Sequence, residues 1–138
     1  MKTTALVSLI TGSSVFIPAG AVEFWHSSTV WAGQGQCSAV FSFDSGGDRI
    51  EALQVSVSAV NQAGEKLTSG VIEVHQFGDS SANRYTDAFL ESEAVCYDDL
   101  TIVVTGATGV LNGKRIDLLK AGALTAREFK PFRIRIGR

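Results

Sequence analysis

The chain has 138 residues, 45% hydrophobic and 19% charged, with 12 Lys and Arg against 14 Asp and Glu. That profile fits a globular chain of one-domain size and excludes a disordered tail, and a net charge of −2 leaves no whole-molecule basic field for nucleic acid. Two cysteines and two prolines exclude a disulfide-dense miniprotein, a four-cysteine zinc site and a proline-rich linker.

Residues 1–21 read as a secretory signal. Lys2 is the only charge before Glu23, and the mostly apolar run from Ala5 to Ile17 has the length of a signal core, about 7–15 residues. Pro18 breaks any helix, and Ala19-Gly20-Ala21 offers the small residues a signal peptidase grips. Cleavage is expected between Ala21 and Val22, with one domain over residues 22–138. The alternatives are a buried first strand or a short anchor. Thr11 to Ser14 interrupts the run, which falls short of the ~20 apolar residues of a membrane span. The expected location is secreted or periplasmic.

The first element carries both tryptophans, Phe24-Trp25 and Trp31. One reading is a core-packing first strand. The other is an exposed aromatic anchor, or a strand exchanged between protomers. Cys37 shares parity with Ala39, Phe41 and Phe43, so it should face a core. Ser45 to Asp48 reads as a glycine turn. Ile50 to Val60 alternates most clearly, and opposite parity at Ile50 and Ala52 predicts a bulge near Ala52–Leu53.

Asn61 to Glu65 turns the chain, after which Ile72 and Val74 point in while Glu73 and His75 point out. Residues 78–83 form a polar loop. Weaker strands are expected at Tyr85–Leu90 and Ala94–Tyr97, and a firmer one at Leu100–Thr105. Asn112-Gly113 is a two-residue hairpin signal. Asp117 to Phe129 tolerates helix, but Gly122 interrupts it. Phe132, Ile134 and Ile136 alternate with Arg133 and Arg135. Seven to nine short strands with frequent turns predict an all-β sandwich of the immunoglobulin or fibronectin type III kind, with a closed barrel as the alternative.

Cys37 and Cys96 lie 59 positions apart, and two cysteines in an oxidising compartment pair. Neither has the Cys-x-x-Cys partner or neighbouring base of a redox thiol. An antibody-type domain is disfavoured: no Trp lies between the cysteines, and Ala94 stands where a Tyr is expected. Charge is segregated. Residues 22–113 carry three basic and twelve acidic side chains, and residues 114–138 carry eight basic and two acidic. Either the basic end pairs with acidic neighbours, or it forms a face for an acidic partner; Trp25, Trp31, Arg133 and Arg135 are the candidate interface residues.

Catalytic groupings are not visible. The histidines are His26 and His75; each reads as an exposed surface residue, and neither has companions for zinc. Asp44 and Asp48 flank two glycines but lack a calcium-loop spacing. Gly109 to Arg115 is not a phosphate loop, because the serine or threonine after lysine is missing. No metal, cofactor, nucleic-acid partner or enzymatic activity is expected.

With its leader, two cysteines, Phe24 to Trp31 at the start and Lys130 to Arg138 at the end, the chain resembles the interleukin receptor mimic proteins of enterobacteria. That resemblance implies a fibronectin III-like fold, a domain-swapped homodimer and a surface that binds host interleukins. The expected function is therefore that of an exported β-sandwich acting through a protein–protein surface. The competing readings are a fimbrial or other surface subunit assembled by strand exchange and a hydrolase whose site is assembled from distant residues.

Overall fold

Alternating apolar residues shape nine strands in the computed structural model, which describes residues 22–127 and 132–136. The expected leader, with Ala21, lies outside the described residues, as do Lys130 and Arg138. In chain order the strands are β1 (Val22–Gly33), β2 (Gln36–Asp44), β3 (Ile50–Val60), β4 (Lys66–Phe77), β5 (Tyr85–Ser92), β6 (Thr101–Leu111), β7 (Lys114–Asp117), β8 (Leu124–Ala126) and β9 (Arg133–Ile136).

They form two sheets. One has the order β5-β2-β1-β8, antiparallel except for the parallel pair β1 and β8. The other has the order β4-β3-β6-β7, and β9 joins the same side of β6 in parallel, at the end β7 does not reach. Two facing sheets make a β-sandwich, as expected, rather than a closed barrel.

The core lies between them. Phe24, Phe41 and Phe43 face inward from the first sheet, and Leu53, Val55, Ile72, Ile102 and Val104 from the second. Phe24 and Phe43 stack at 5.2 Å between ring centroids, and Phe43 meets the edge of Phe77 at 6.5 Å. Each buried side chain of this size contributes roughly 1.5–3 kcal/mol.

Several expectations hold in detail. Asn112 and Gly113 adopt φ of 50° and 86°, the paired positive angles of a tight hairpin between β6 and β7. Ala52 has φ of 51° inside β3, where the pairing with β6 slips between Glu51 and Gln54: the predicted bulge. Ile134 is buried, while Arg133 and Arg135 point out.

Three segments differ. The strand expected over Ala94–Tyr97 is a 3-10 turn at Ala94–Cys96, because Val95 enters the core while Cys96 reaches back to Cys37. The strand expected over Leu100–Thr105 continues to Leu111. A slip opposite Ser56–Val57 shifts the inward parity from Val104 to Ala107 and breaks the alternation along the chain. Residues 118–122, compatible with helix by composition, form a turn instead. Asp117 Oδ1 accepts from the backbone of Leu119 and Lys120, both at 3.1 Å, and buried Leu118 and Ala123 pull the turn onto the core.

Among the described residues no helix is long and apolar enough to cross a membrane.

Candidate functional site: a disulfide-pinned end of the sandwich

Cys37 opens β2 on its inward face, where its register partner on β5 is Ser92. Two residues beyond Ser92 the chain curls, and Cys96 bonds Cys37 with the Cα atoms 5.2 Å apart. The bond does not join the two sheets strand to strand. It pins the crossover between β5 and β6 to the start of β2.

Residues 93–100 are thus held at three points. Val95 is fully buried, Leu100 is 1% exposed, and Cys96 is bonded between them. Ser92 Oγ accepts from the Ala94 amide at 3.0 Å and shapes the entry. Between Cys96 and Leu100 the chain displays Tyr97, Asp98 and Asp99 outward. Asp99 adopts φ of 57°, an angle that asparagine and aspartate tolerate better than most residues.

The facing wall is the turn between β3 and β4. Asn61 builds it. Its Oδ1 accepts from the amides of Ala63 at 3.0 Å and Glu65 at 2.9 Å, and its Nδ2 donates to Glu65 Oε1 at 2.9 Å. Gly64, at φ of 86°, closes the loop. Between turn and crossover lies a concavity of about 570 Å³, lined by Asn61, Gln62, Leu67, Tyr97, Asp98 and Asp99. A smaller hollow beside Ser92 and Glu93 shares Leu67 and Tyr97. Those two side chains therefore form a ridge between hollows. Tyr97 is 60% exposed and Leu67 38%. An aromatic anchor with an apolar neighbour and an acidic rim has the composition of a protein-binding hot spot.

The candidate interface residues are not brought together. Trp25 lies on the outer face of the first sheet, half buried, with the Arg127 guanidinium 5.3 Å over its ring. Trp31 sits opposite Cys37 near the disulfide and is 68% exposed, so the core reading fails for this residue. A bulge at Ser27 keeps Thr29 and Trp31 on the inward side, but Trp31 lies near the end of its strand and the core does not cover it. Arg133 and Arg135 point out from the second sheet. The bases of the C-terminal segment are not generally matched by acids: among the described residues its only ion pair is Arg127 Nε to Glu23 Oε2, at 3.0 Å.

His26 is the main correction. It is 2% exposed rather than on the surface. Its ring stacks on Phe132 at 4.1 Å and tilts against Phe41 at 5.6 Å, while Nε2 meets Thr29 Oγ1 at 2.7 Å. Burial pushes its pKa down, with the Ser28 backbone pulling the other way. The signal lay in parity: His26 follows Phe24 by two. His75 is exposed as expected and shares a shallow hollow with Glu73. Glu73 is approached by Gln54 Nε2 at 3.5 Å. Among the described residues no three His, Cys, Asp or Glu side chains converge on a point that would hold a metal.

Another pairing was invisible in the sequence. Asp44 does not face Asp48 across a cation site. It caps the Gly46 amide at 2.8 Å and takes both arms of Arg84.

This geometry defines a class: an all-β sandwich whose β5–β6 crossover is anchored by a disulfide. The sequence pattern of the family described as IrmA, interleukin receptor mimic protein A, matches residues 22–125, and the chain belongs to that family. A solved structure of IrmA from Escherichia coli is similar, with 29% sequence identity and a TM-score of 0.66, covering 80% of this chain and 93% of that one. No curated protein matches the chain.

Proposed function

We propose that this chain is an exported binding protein that takes a cytokine of the interleukin class at its disulfide-pinned end. One observation carries the reading: Tyr97 and Leu67 stand exposed over a concavity of about 570 Å³ on a loop fixed at three points. A fixed loop loses little entropy on binding, and that preserves affinity. Family membership supports an interleukin as the partner. The disulfide supports export, and so does the leader read over residues 1–21. Residues 22–138 are then the working domain, a binder and not an enzyme.

The strand order supports a fibronectin III-like arrangement. The strands β1, β2 and β5 lie against β4, β3, β6 and β7, the grouping obtained when the first, second and fifth strands share one sheet. The exposed Trp31 on an inward-parity position supports a homodimer in which neighbouring protomers exchange a segment that covers it. The family match lends nothing to a fimbrial subunit.

Calorimetric titration of interleukins into the protein tests the reading. Binding to at least one is expected, weakened tenfold or more by Tyr97→Ala with Leu67→Ser. No binding to any interleukin, or unchanged affinity in that variant, overturns it. Light scattering tests the dimer separately, and a monomer at working concentration removes it.

A further inference from the structure

The basic edge of the second sheet offers a second surface, which adjoins the Tyr97 concavity at the Asn61–Gln62 turn. β9 runs beside β6 with Arg133 opposite Thr101 and Arg135 opposite Val103. The strand period puts both arginines on the outer face, about 7 Å apart along the strand. Their β6 neighbours are neutral, and among the described residues neither arginine makes an ion pair. Beside them lies a hollow of about 360 Å³, completed by Val60, Asn61, Gln62, Gly64 and Thr101. Lys66, paired with Val60 on β4, extends the row at the same level.

The chemistry of this hollow selects a ligand class. Each guanidinium is a planar fork suited to an oxyanion. Gln62 and Thr101 offer an amide and a hydroxyl that suit sugar hydroxyls; the Asn61 amide is already committed to its own turn. No exposed aromatic lines the hollow, so a stacked base has no platform and a protein partner has no anchor there. We propose that Arg133, Arg135, Thr101 and Gln62 form a site for a sulfated polysaccharide. This goes beyond the cytokine reading and does not depend on it.

Arginines on an edge strand also discourage edge-to-edge pairing, and the experiment separates the two roles. A size-defined heparin oligosaccharide is titrated into the protein at about 50 mM salt, where exposed charges are weakly screened. Saturable binding is expected, weakening as salt rises. The double variant Arg133→Gln with Arg135→Gln should bind at least tenfold more weakly, and each single variant should show part of that loss. Arg127→Gln, whose arginine lies on the other sheet, should bind as the parent does. Absence of binding by the parent protein overturns the site and leaves edge protection as the role of the arginines. Equal binding of a desulfated oligosaccharide or of polyglutamate, or an unchanged double variant, overturns it as well.

Discussion

Arg84 grips Asp44 with both arms of its guanidinium, Nε to Oδ1 at 2.7 Å and Nη2 to Oδ2 at 3.2 Å. The pair ties the end of β2 to the residue that leads into β5, forty positions later. Arg84 is the first cause of the lowered Asp44 pKa, which falls below 3.8. The contribution of this carboxylate is therefore whole above pH 3.8 and fades as pH falls below it toward the folded value. Asp44→Asn should cost about 1–2 kcal/mol at neutral pH and flatten the acid limb of the stability profile. Denaturant melts across pH check both, and an unchanged acid limb contradicts the assignment.

His26 and Phe132 give a pH dependence of the same sign in a higher pH window. The unfolded imidazole takes a proton near pH 6.5, whereas the buried one, stacked on Phe132 and tilted against Phe41, resists it. Stability should be whole above pH 6.5 and decline as pH drops below that value. His26→Phe should remove this slope down to about pH 5. Thermal melting at closely spaced pH values would show it, and a persisting slope would assign the effect to another group.

The bond between Cys37 and Cys96 closes a span of 59 residues. The chain-entropy model gives it about 4 kcal/mol. The double variant Cys37→Ser with Cys96→Ser should lose stability on that scale. Because Tyr97 follows Cys96 directly, partner binding should weaken as well. Equilibrium unfolding of the folded fraction, with binding measured on the same sample, checks the pair of effects.

Two glycines should differ sharply. A Cβ at Gly78, where φ is 86°, would collide with the Asp48 carbonyl, and backbone cannot step aside cheaply. At Gly70 a Cβ would come within 2.8 Å of Leu90 Cδ1, the tip of a side chain that can rotate. Gly78→Ala should cost about 2 kcal/mol or more, and Gly70→Ala clearly less. Comparable losses in chemical denaturation would contradict the structure at one of them.

Ala52 bears the strain of its bulge, at φ of 51°. Ala52→Gly should stabilise or be neutral, by up to about 1 kcal/mol, against the usual penalty for glycine in a strand. A loss of that size would mean that the bulge is absent in solution.

The sequence by itself settled what short-range chemistry controls. Period-two alternation marks β3, and Asn112-Gly113 marks the hairpin between β6 and β7, because neighbouring residues alone decide facing and turn angle. Parity likewise placed Cys37, Phe41 and Phe43 inward. Alternation failed where a bulge shifts the face, at Ser27 and between Val104 and Ala107, since a one-residue slip is set by the partner strand. Tertiary structure alone decided that Arg84 holds Asp44, that His26 stacks on Phe132, and that Tyr97 rather than Trp25 lines the concavity beside the disulfide. It also set Arg133 and Arg135 beside the turn at Gln62. Each of these joins residues far apart in the chain, and only the packing of one sheet on the other, with β8 and β9 added to their edges, brings such residues within reach.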